Sequence, residues 1–260
     1  MHIYVINLAR APERRAKMEA QAKSLGVAFD FVEATDGKLL TNQDRARVDH
    51  SKRKRISPYP LSDNEVGCWL SHLRAMQTLI NSGERMAAIL EDDAALSPDF
   101  PRVLAAIEKR TAPFDVIDLH RLYKKGEVFV RCHPLLPGFD LGRIGYMQMH
   151  ATGYVITRAG AQKFIAHAKS FAHAIDKDMH SYWVNGLDIY GLETPVARQE
   201  DGGHSYIDET RGQDRPTERV RYPDADQFHW RMQRRLTKLM DSIHKRLAFP
   251  AYVRKAQRAG

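Results

Sequence analysis

Apolar positions along this chain fall into short unbroken runs separated by longer stretches with helical spacing. Residues 2–8 (HIYVINL) and 87–90 (AAIL) are brief apolar runs that suit parallel strands buried on both faces, although such runs alone do not exclude a helix segment. Between them, Pro12 opens a predicted helix (PERRAKMEAQAKSL) that Gly26 closes, and residues 27–34 (VAFDFVEA) alternate before a TDG turn. This order predicts a β-α-β start. Ser62 and Glu65 match a capping box that begins a helix running to about Asn81, with Gly83 beyond it. Trp69, Leu70, Leu73, Met76, Leu79 and Ile80 form its apolar stripe. Further on, the pattern predicts a helix from Pro98 to about Arg110 and strands at 115–119, 151–156, 187–192 and 195–199. Thr157 is positioned to cap a helix over RAGAQKFIAHA. Residues 41–60 read as a polar connection carrying at most one short helix. Residues 123–147 read as a Gly/Pro-punctuated region with little periodicity, suited to a lid or to a loop that faces a second substrate.

The chemistry concentrates where the second apolar run ends. Glu91, Asp92 and Asp93 follow AAIL directly, and ligands gather beyond the carboxyl ends of strands in open α/β sheets. Three adjacent carboxylates repel one another, and a hard cation such as Mg²⁺ or Mn²⁺ with a bound phosphate would offset that repulsion. A solvated acidic turn or a helix cap is the plainer alternative. Ser97-Pro98 can itself supply the cap and first-turn proline of the next helix, which leaves the acids without that role. Asn7, Arg14, Asp36 and Gly37 are placed near the carboxyl ends of the first two strands, where a base and ribose could rest. The first crossover lacks G-x-G-x-x-G, which disfavours a dinucleotide fold. A second carboxylate pair, Asp176 and Asp178, follows the later helix, and His204 lies on a Gly-rich loop.

Composition narrows the setting. The chain of 260 residues is 43% hydrophobic, enough for a full core. Cys68 and Cys132 are its only cysteines, so no disulfide framework is expected and a reducing compartment fits. The amino terminus shows neither a basic n-region nor a cleavage site, and no apolar run approaches ~20 residues; a cytoplasmic protein is expected. The net charge of +8 lies at one end: residues 228–260 hold nine Lys/Arg and one acid, Asp241, whereas residues 1–227 balance 31 basic against 31 acidic residues. In that tail Met232, Leu236, Leu239, Ile243 and Leu247 recur at helical spacing among Arg and Lys. Such a helix suits an anionic membrane surface or a partner, or equally a helix packed on its own domain. Residues 1–222 are taken as one domain and 223–260 as the basic helical tail.

Six blocks in order, VINLARAPERR (5–15), EATDG (33–37), VGCWLSHLRAMQ (66–77), ILEDDA (89–94), TGYVITRAGAQKF (152–164) and AID (174–176), resemble glycosyltransferase family 25. That family includes bacterial lipooligosaccharide galactosyltransferases and is related to collagen galactosyltransferases. The resemblance implies a GT-A-type nucleotide-sugar-binding sheet flanked by helices, a UDP-sugar donor carrying galactose or glucose, Mn²⁺ or Mg²⁺, an inverting reaction and a glycan or glycolipid acceptor such as lipopolysaccharide, at or near the inner membrane face. It places the metal and donor motif on Glu91, Asp92 and Asp93, the INL and ERR elements on Asn7, Leu8 and Arg14, the SH pair on Ser71 and His72, and the later acidic element on Asp176. Ala174 stands where proline is common, and Asp178 matches less clearly. Analogy with other GT-A enzymes would add His204 as a metal ligand. Metal-assisted loss of a diphosphate and deprotonation of an acceptor hydroxyl by a separate carboxylate need two acidic groups, which 91–93 and 176–178 supply. A nucleotidyl- or phosphoryl-transferring enzyme could use the same acids, but no P-loop is present. A nucleic-acid-binding protein could use the tail, yet the tail has few interleaved aromatics and the body is electrically balanced.

Overall fold

The computed structural model describes residues 1–121, 128–145, 151–200 and 220–258. The chain opens with β1 (His2–Asn7), α1 (Pro12–Leu25) and β2 (Asp30–Glu33). Two short helices, α2 (Asn42–Arg45) and α3 (His50–Lys54), lead to the long α4 (Asp63–Ser82). Then come β3 (Met86–Glu91), β4 (Ala94–Leu96), α5 (Phe100–Glu108), β5 (Val116–Asp118) and the hairpin β6 (Phe129–Leu136) and β7 (Phe139–Ile144). The last part holds β8 (Gly153–Thr157), α6 (Arg158–His167), α7 (Ile175–Met179), α8 (Tyr182–Asn185), β9 (Ile189–Leu192), β10 (Ala197–Gln199) and a C-terminal helix, Phe228–Arg258.

Eight strands form one mixed sheet in the order β2-β1-β3-β8-β5-β9-β7-β6, in which β8 and β7 run against the rest. Alternation along each strand divides the core. Tyr4, Ile6, Ala87 and Ile89 pack with Trp69, Met76 and Phe164 on one face, while Ile3, Val5, Ala88 and Leu90 pack with Met18, Phe100 and Ile107 on the other. Helices thus cover both faces, which is why β1 and β3 are apolar through Ile3–Ile6 and Met86–Leu90. The carboxyl ends of β1, β2, β3 and β5 share one edge of this sheet.

The capping box of α4 is present, with the Ser62 side chain accepting from Glu65 N–H and the Glu65 carboxylate accepting from Ser62 N–H; Gly83 ends the helix at φ 76°. Two glycines bring the loop after β2 against this helix. A Cβ on Gly67 would stand 2.6 Å from Thr35 O, and one on Gly37 would stand 2.4 Å from Asn64 Oδ1. Neither position can carry a side chain without separating the loop from α4.

Several sequence expectations need correction. Residues 128–145 form the β6–β7 hairpin rather than an aperiodic loop. Two register shifts and Pro134 on the edge strand break the alternation that would have revealed it. The 41–60 connection holds two short helices, capped by Thr41 and Asp49, which are too short to show a period. Helix α5 begins at Phe100 behind Asp99, not at Pro98 behind Ser97, and β4 separates it from the acids at 91–93. Those acids still cap no helix.

The C-terminal helix inverts the usual burial pattern along its first two thirds. Arg234, Thr237, Asp241 and Lys245 turn towards the protein, whereas Leu236 (52% exposed), Leu239 (57%) and Leu247 (73%) face outward with Met240 and Ile243. Its last third is anchored. Ala248, Phe249 and Tyr252 pack on the core, Ala256 is buried, and the Tyr252 hydroxyl both accepts from Ile189 N–H (2.6 Å) and donates to Ile189 C=O (2.8 Å). The buried Arg143 guanidinium lies between the Tyr190 and Tyr252 rings, 3.8 and 3.9 Å from their centroids, and pairs with Asp188. Among the described residues, no helix is long and apolar enough to cross a membrane.

Candidate active site

The end of β3 and the turn into β4 decide where the three consecutive acids go. Glu91 continues the face of Ala87 and Ile89 towards α4, where its Oε1 lies 3.3 Å from His72 Nε2 and 3.8 Å from Cys68 Sγ. Asp92 turns to the opposite side. Asn7 Nδ2 donates to its Oδ2 (2.8 Å) and Arg14 Nη1 to its Oδ1 (2.9 Å), with both partners of the ion pair mostly buried. Asp93 lies between. Gln199 Nε2 donates to its Oδ2 (3.2 Å), while its buried Oδ1 has no hydrogen-bond partner among the described residues. Burial, followed by the neighbouring charge of Glu91, pushes Asp93 up to about 7.

These groups border an open cleft of about 110 Å³ at the carboxyl ends of β1–β3. Leu8, Arg10, Arg14, Gly37, Ser71, His72 and all three acids line it. Asp36 stands behind the wall. It accepts from Arg10 Nε (2.6 Å) and Lys38 N–H (2.9 Å), and these contacts more than offset burial to hold its carboxyl below the usual range. Ser71 is a joint between loop and helix rather than an exposed hydroxyl: its Oγ accepts from Thr35 N–H (2.8 Å) and donates to Gly67 C=O (2.6 Å). His72 is fully buried, with Nδ1 hydrogen-bonded to the Tyr154 hydroxyl at 2.9 Å.

The two later acids separate. Asp176 opens α7 and accepts from Lys177 N–H at 2.6 Å. It does not line the cleft, but it is within electrostatic reach of it: burial, then Glu91, then Asp176 raise the Cys68 thiol. Asp178 enters a different cavity beneath the C-terminal helix, beside Lys52, His173 and Asp241. Burial pushes it up to about 7, against the pull of Lys52 and Lys177. His204 lies outside the described residues.

Sequence reading missed several neighbours. Cys68 sits one helical turn before His72 within VGCWLSH, a spacing that places both on one face of α4. Asp118, at the end of β5, pairs with His180 Nε2 at 2.8 Å, both buried, while His180 Nδ1 is hydrogen-bonded to Asp176 C=O at 2.7 Å. Burial pulls the imidazole down, but Asp118 overcomes it and holds His180 up at about 9. Nothing local in the sequence links residues 62 positions apart.

A hard divalent cation fits part of this arrangement. Glu91 and Asp93, whose Oδ1 has no hydrogen-bond partner among the described residues, both offer oxygen donors at the cleft, and a cation there would offset the burial and the Glu91 charge that raise Asp93. Asp92 is different. Both of its oxygens are already engaged by Asn7 and Arg14.

This cleft lies within the part of the chain that is matched by a known family. The chain belongs to glycosyltransferase family 25, whose family model, described as an LPS biosynthesis protein, matches residues 1–179. Relatives include glycosyltransferase 25 family members of Aedes aegypti, 31% identical over 174 residues (63% of this chain, 28% of the relative), and of Drosophila pseudoobscura pseudoobscura, 33% over 177 residues (64% and 27%). The inactive glycosyltransferase 25 family member 3 of Mus musculus is 28% identical over 172 residues (63% and 28%). The chain therefore spans little more than a quarter of the length of these curated relatives.

Proposed function

We propose that this chain transfers a hexose, galactose or glucose, from a UDP-sugar to a glycan acceptor such as lipopolysaccharide or lipooligosaccharide, on a GT-A-type sheet. The observation that carries this reading is that Glu91 and the raised Asp93, whose Oδ1 has no hydrogen-bond partner among the described residues, line one cleft at the carboxyl edge of β1 and β3. Those two carboxylates are the residues to hold Mn²⁺ or Mg²⁺, which when bound neutralises charge on the departing diphosphate. Asp92, fixed by Asn7 and Arg14, shapes the cleft wall, and Leu8, Gly37 and Arg10 line the space offered to the nucleotide. Asp176 is the proposed base. It takes the acceptor O–H proton as that oxygen attacks C1 of the sugar, and the C1–O bond to UDP breaks with inversion. Several mammalian relatives are named inactive or probable inactive, so the activity rests on these residues rather than on membership alone. A panel of UDP-hexoses, read by UDP release and by transfer with and without metal, tests the proposal. No turnover with any donor in the presence of Mn²⁺ and a lipooligosaccharide acceptor would overturn it.

A second part of the proposal concerns where the enzyme works. The outward row Leu236, Leu239, Met240, Ile243 and Leu247, bordered by Arg231, Arg235, Lys238 and Arg246, suits an anionic bilayer face. This supports a peripheral position on the cytoplasmic side, where UDP-sugars and a lipid-linked acceptor would meet.

A further inference from the structure

The face of α4 that meets Glu91 carries an imidazole and a thiol, which hard cations do not select. Cys68 Sγ, His72 Nε2 and a Glu91 oxygen all lie within 4.8 Å of one another. We propose that these three residues form a binding site for a borderline-soft divalent cation, Zn²⁺ in the first place.

Geometry is the main support. Zinc holds nitrogen and oxygen ligands at ~2.0–2.2 Å and sulfur at ~2.3 Å, so a tetrahedral site has N···O edges of about 3.3 Å and S···O edges of about 3.6 Å. Here His72 Nε2 is 3.3 Å from Glu91 Oε1, and Cys68 Sγ is 3.8 Å from the same oxygen. Cys68 and His72 come from adjacent turns of one well-capped helix, and Glu91 comes from the end of a central strand, so all three positions are rigidly supported. The outer nitrogen of His72 is also secured. Its bond to the Tyr154 hydroxyl, 2.9 Å long, fixes ring orientation and leaves Nε2 for the ligand, as metal-binding histidines require. The part-exposed side of Glu91 faces the cleft, which provides a fourth position for water.

Without a cation, the thiol and the imidazole both turn to one carboxylate. Zinc would replace those contacts and displace the thiol proton to solvent. Glu91 is common to this site and to the donor site proposed above. Occupancy by Zn²⁺ therefore competes with the activating cation, a consequence that rests on the proposed transferase reading, whereas zinc binding itself does not.

The test uses the whole protein and needs no turnover. Competition against a chromophoric chelator measures Zn²⁺ affinity, and Co²⁺ loading reports a thiolate ligand through its sulfur-to-cobalt charge-transfer band. Wild type should bind one Zn²⁺ and show the band. Cys68→Ser should lose the band and bind zinc at least about tenfold more weakly, and Tyr154→Phe should weaken binding about tenfold with the fold retained. Should Cys68→Ser fail to fold, the wild-type protein still answers: Zn²⁺ should protect Cys68, and not Cys132, from alkylation. Absence of the charge-transfer band, unchanged zinc affinity in a folded Cys68→Ser variant, or no protection of Cys68 would each overturn the site. Zinc binding by a protein that shows no sugar transfer in Mn²⁺ with zinc absent would leave this site standing and remove the transferase reading.

Discussion

Two pairs of carboxylates, Glu91/Asp93 and Asp176/Asp178, have the same spacing in sequence and opposite fates in the fold. The first pair stays together because β3 ends there and the chain turns at once into β4, so both side chains border one cleft. The second pair sits on the first turn of α7, where residues two apart point to different sides. Asp176 remains near the cleft, and Asp178 enters the cavity under the C-terminal helix. A two-residue spacing of acids therefore means a shared site on an extended end and a divided one on a helix.

Breaking the first pair should have the largest effect. Asp93→Ala should lower donor turnover by at least ~10³-fold, the several kcal/mol attributable to Lewis-acid stabilisation, and should abolish Mn²⁺-dependent donor binding. Full activity of this variant, or of wild type in excess chelator, would remove the metal from the proposed mechanism. Asp176→Asn keeps the shape and removes the proton acceptor. Transfer should fall ~10²–10⁴-fold while UDP affinity, measured by calorimetry, stays near wild type. Lost UDP binding instead would move Asp176 into the donor site.

Asp178→Asn should sharpen the contrast through stability rather than rate. Because the folded protein holds this proton up to about pH 7 and the unfolded chain releases it near pH 4, the group favours folding fully below pH 4. That contribution is lost as pH rises from about 4 to about 7. The variant should be more stable than wild type at pH 7.5 by on the order of 2–4 kcal/mol and no more stable at pH 4. Denaturant unfolding at both pH values checks this, and equal gains at both would show that charge is not the cause. His180 works in a later window. Its raised position stabilises the fold below about pH 6.5 and ceases to do so as pH climbs through about 9.

The smallest effect on catalysis is expected at the tail. Leu239→Glu with Ile243→Glu should abolish salt-sensitive sedimentation with phosphatidylserine vesicles and leave transfer to a soluble acceptor within about twofold, since surface substitutions on an outward face change stability little. Sedimentation at the wild-type level would show that this face is not the membrane contact.

Much of the frame was legible in the sequence because its signals are local. The apolar runs of β1 and β3, the Ser62–Glu65 box and Gly26 and Gly83 each state their structure within a few residues. The acidic edge was legible for the same reason: it follows directly from where β3 stops. What escaped depends on distant partners. The direction of Asp92 is set by Arg14, 78 residues earlier, and the edge pairing of β6 survives a proline and two bulges that erase its period. The periodic leucines of the tail were visible, yet periodicity identifies a face without saying whether it looks in or out. Here Thr237 and Asp241 took the inner side, where they border one cavity with Lys52, His173 and Asp178.

The doubly bonded hydroxyl of Tyr252 also carries a consequence for the birth of the protein. Ile189 lies in β9, between β5 and β7, and Arg143 waits beside it for its second aromatic face. A chain still attached to the ribosome, with residues 248–256 not yet free, leaves that guanidinium half-sheltered and this part of the sheet unfinished. Synthesis at ~5–20 residues per second lets the amino-terminal strands begin pairing first. Completion of this part of the fold must then wait until Tyr252 has been made, and chains that stop before it should be cleared rather than stored.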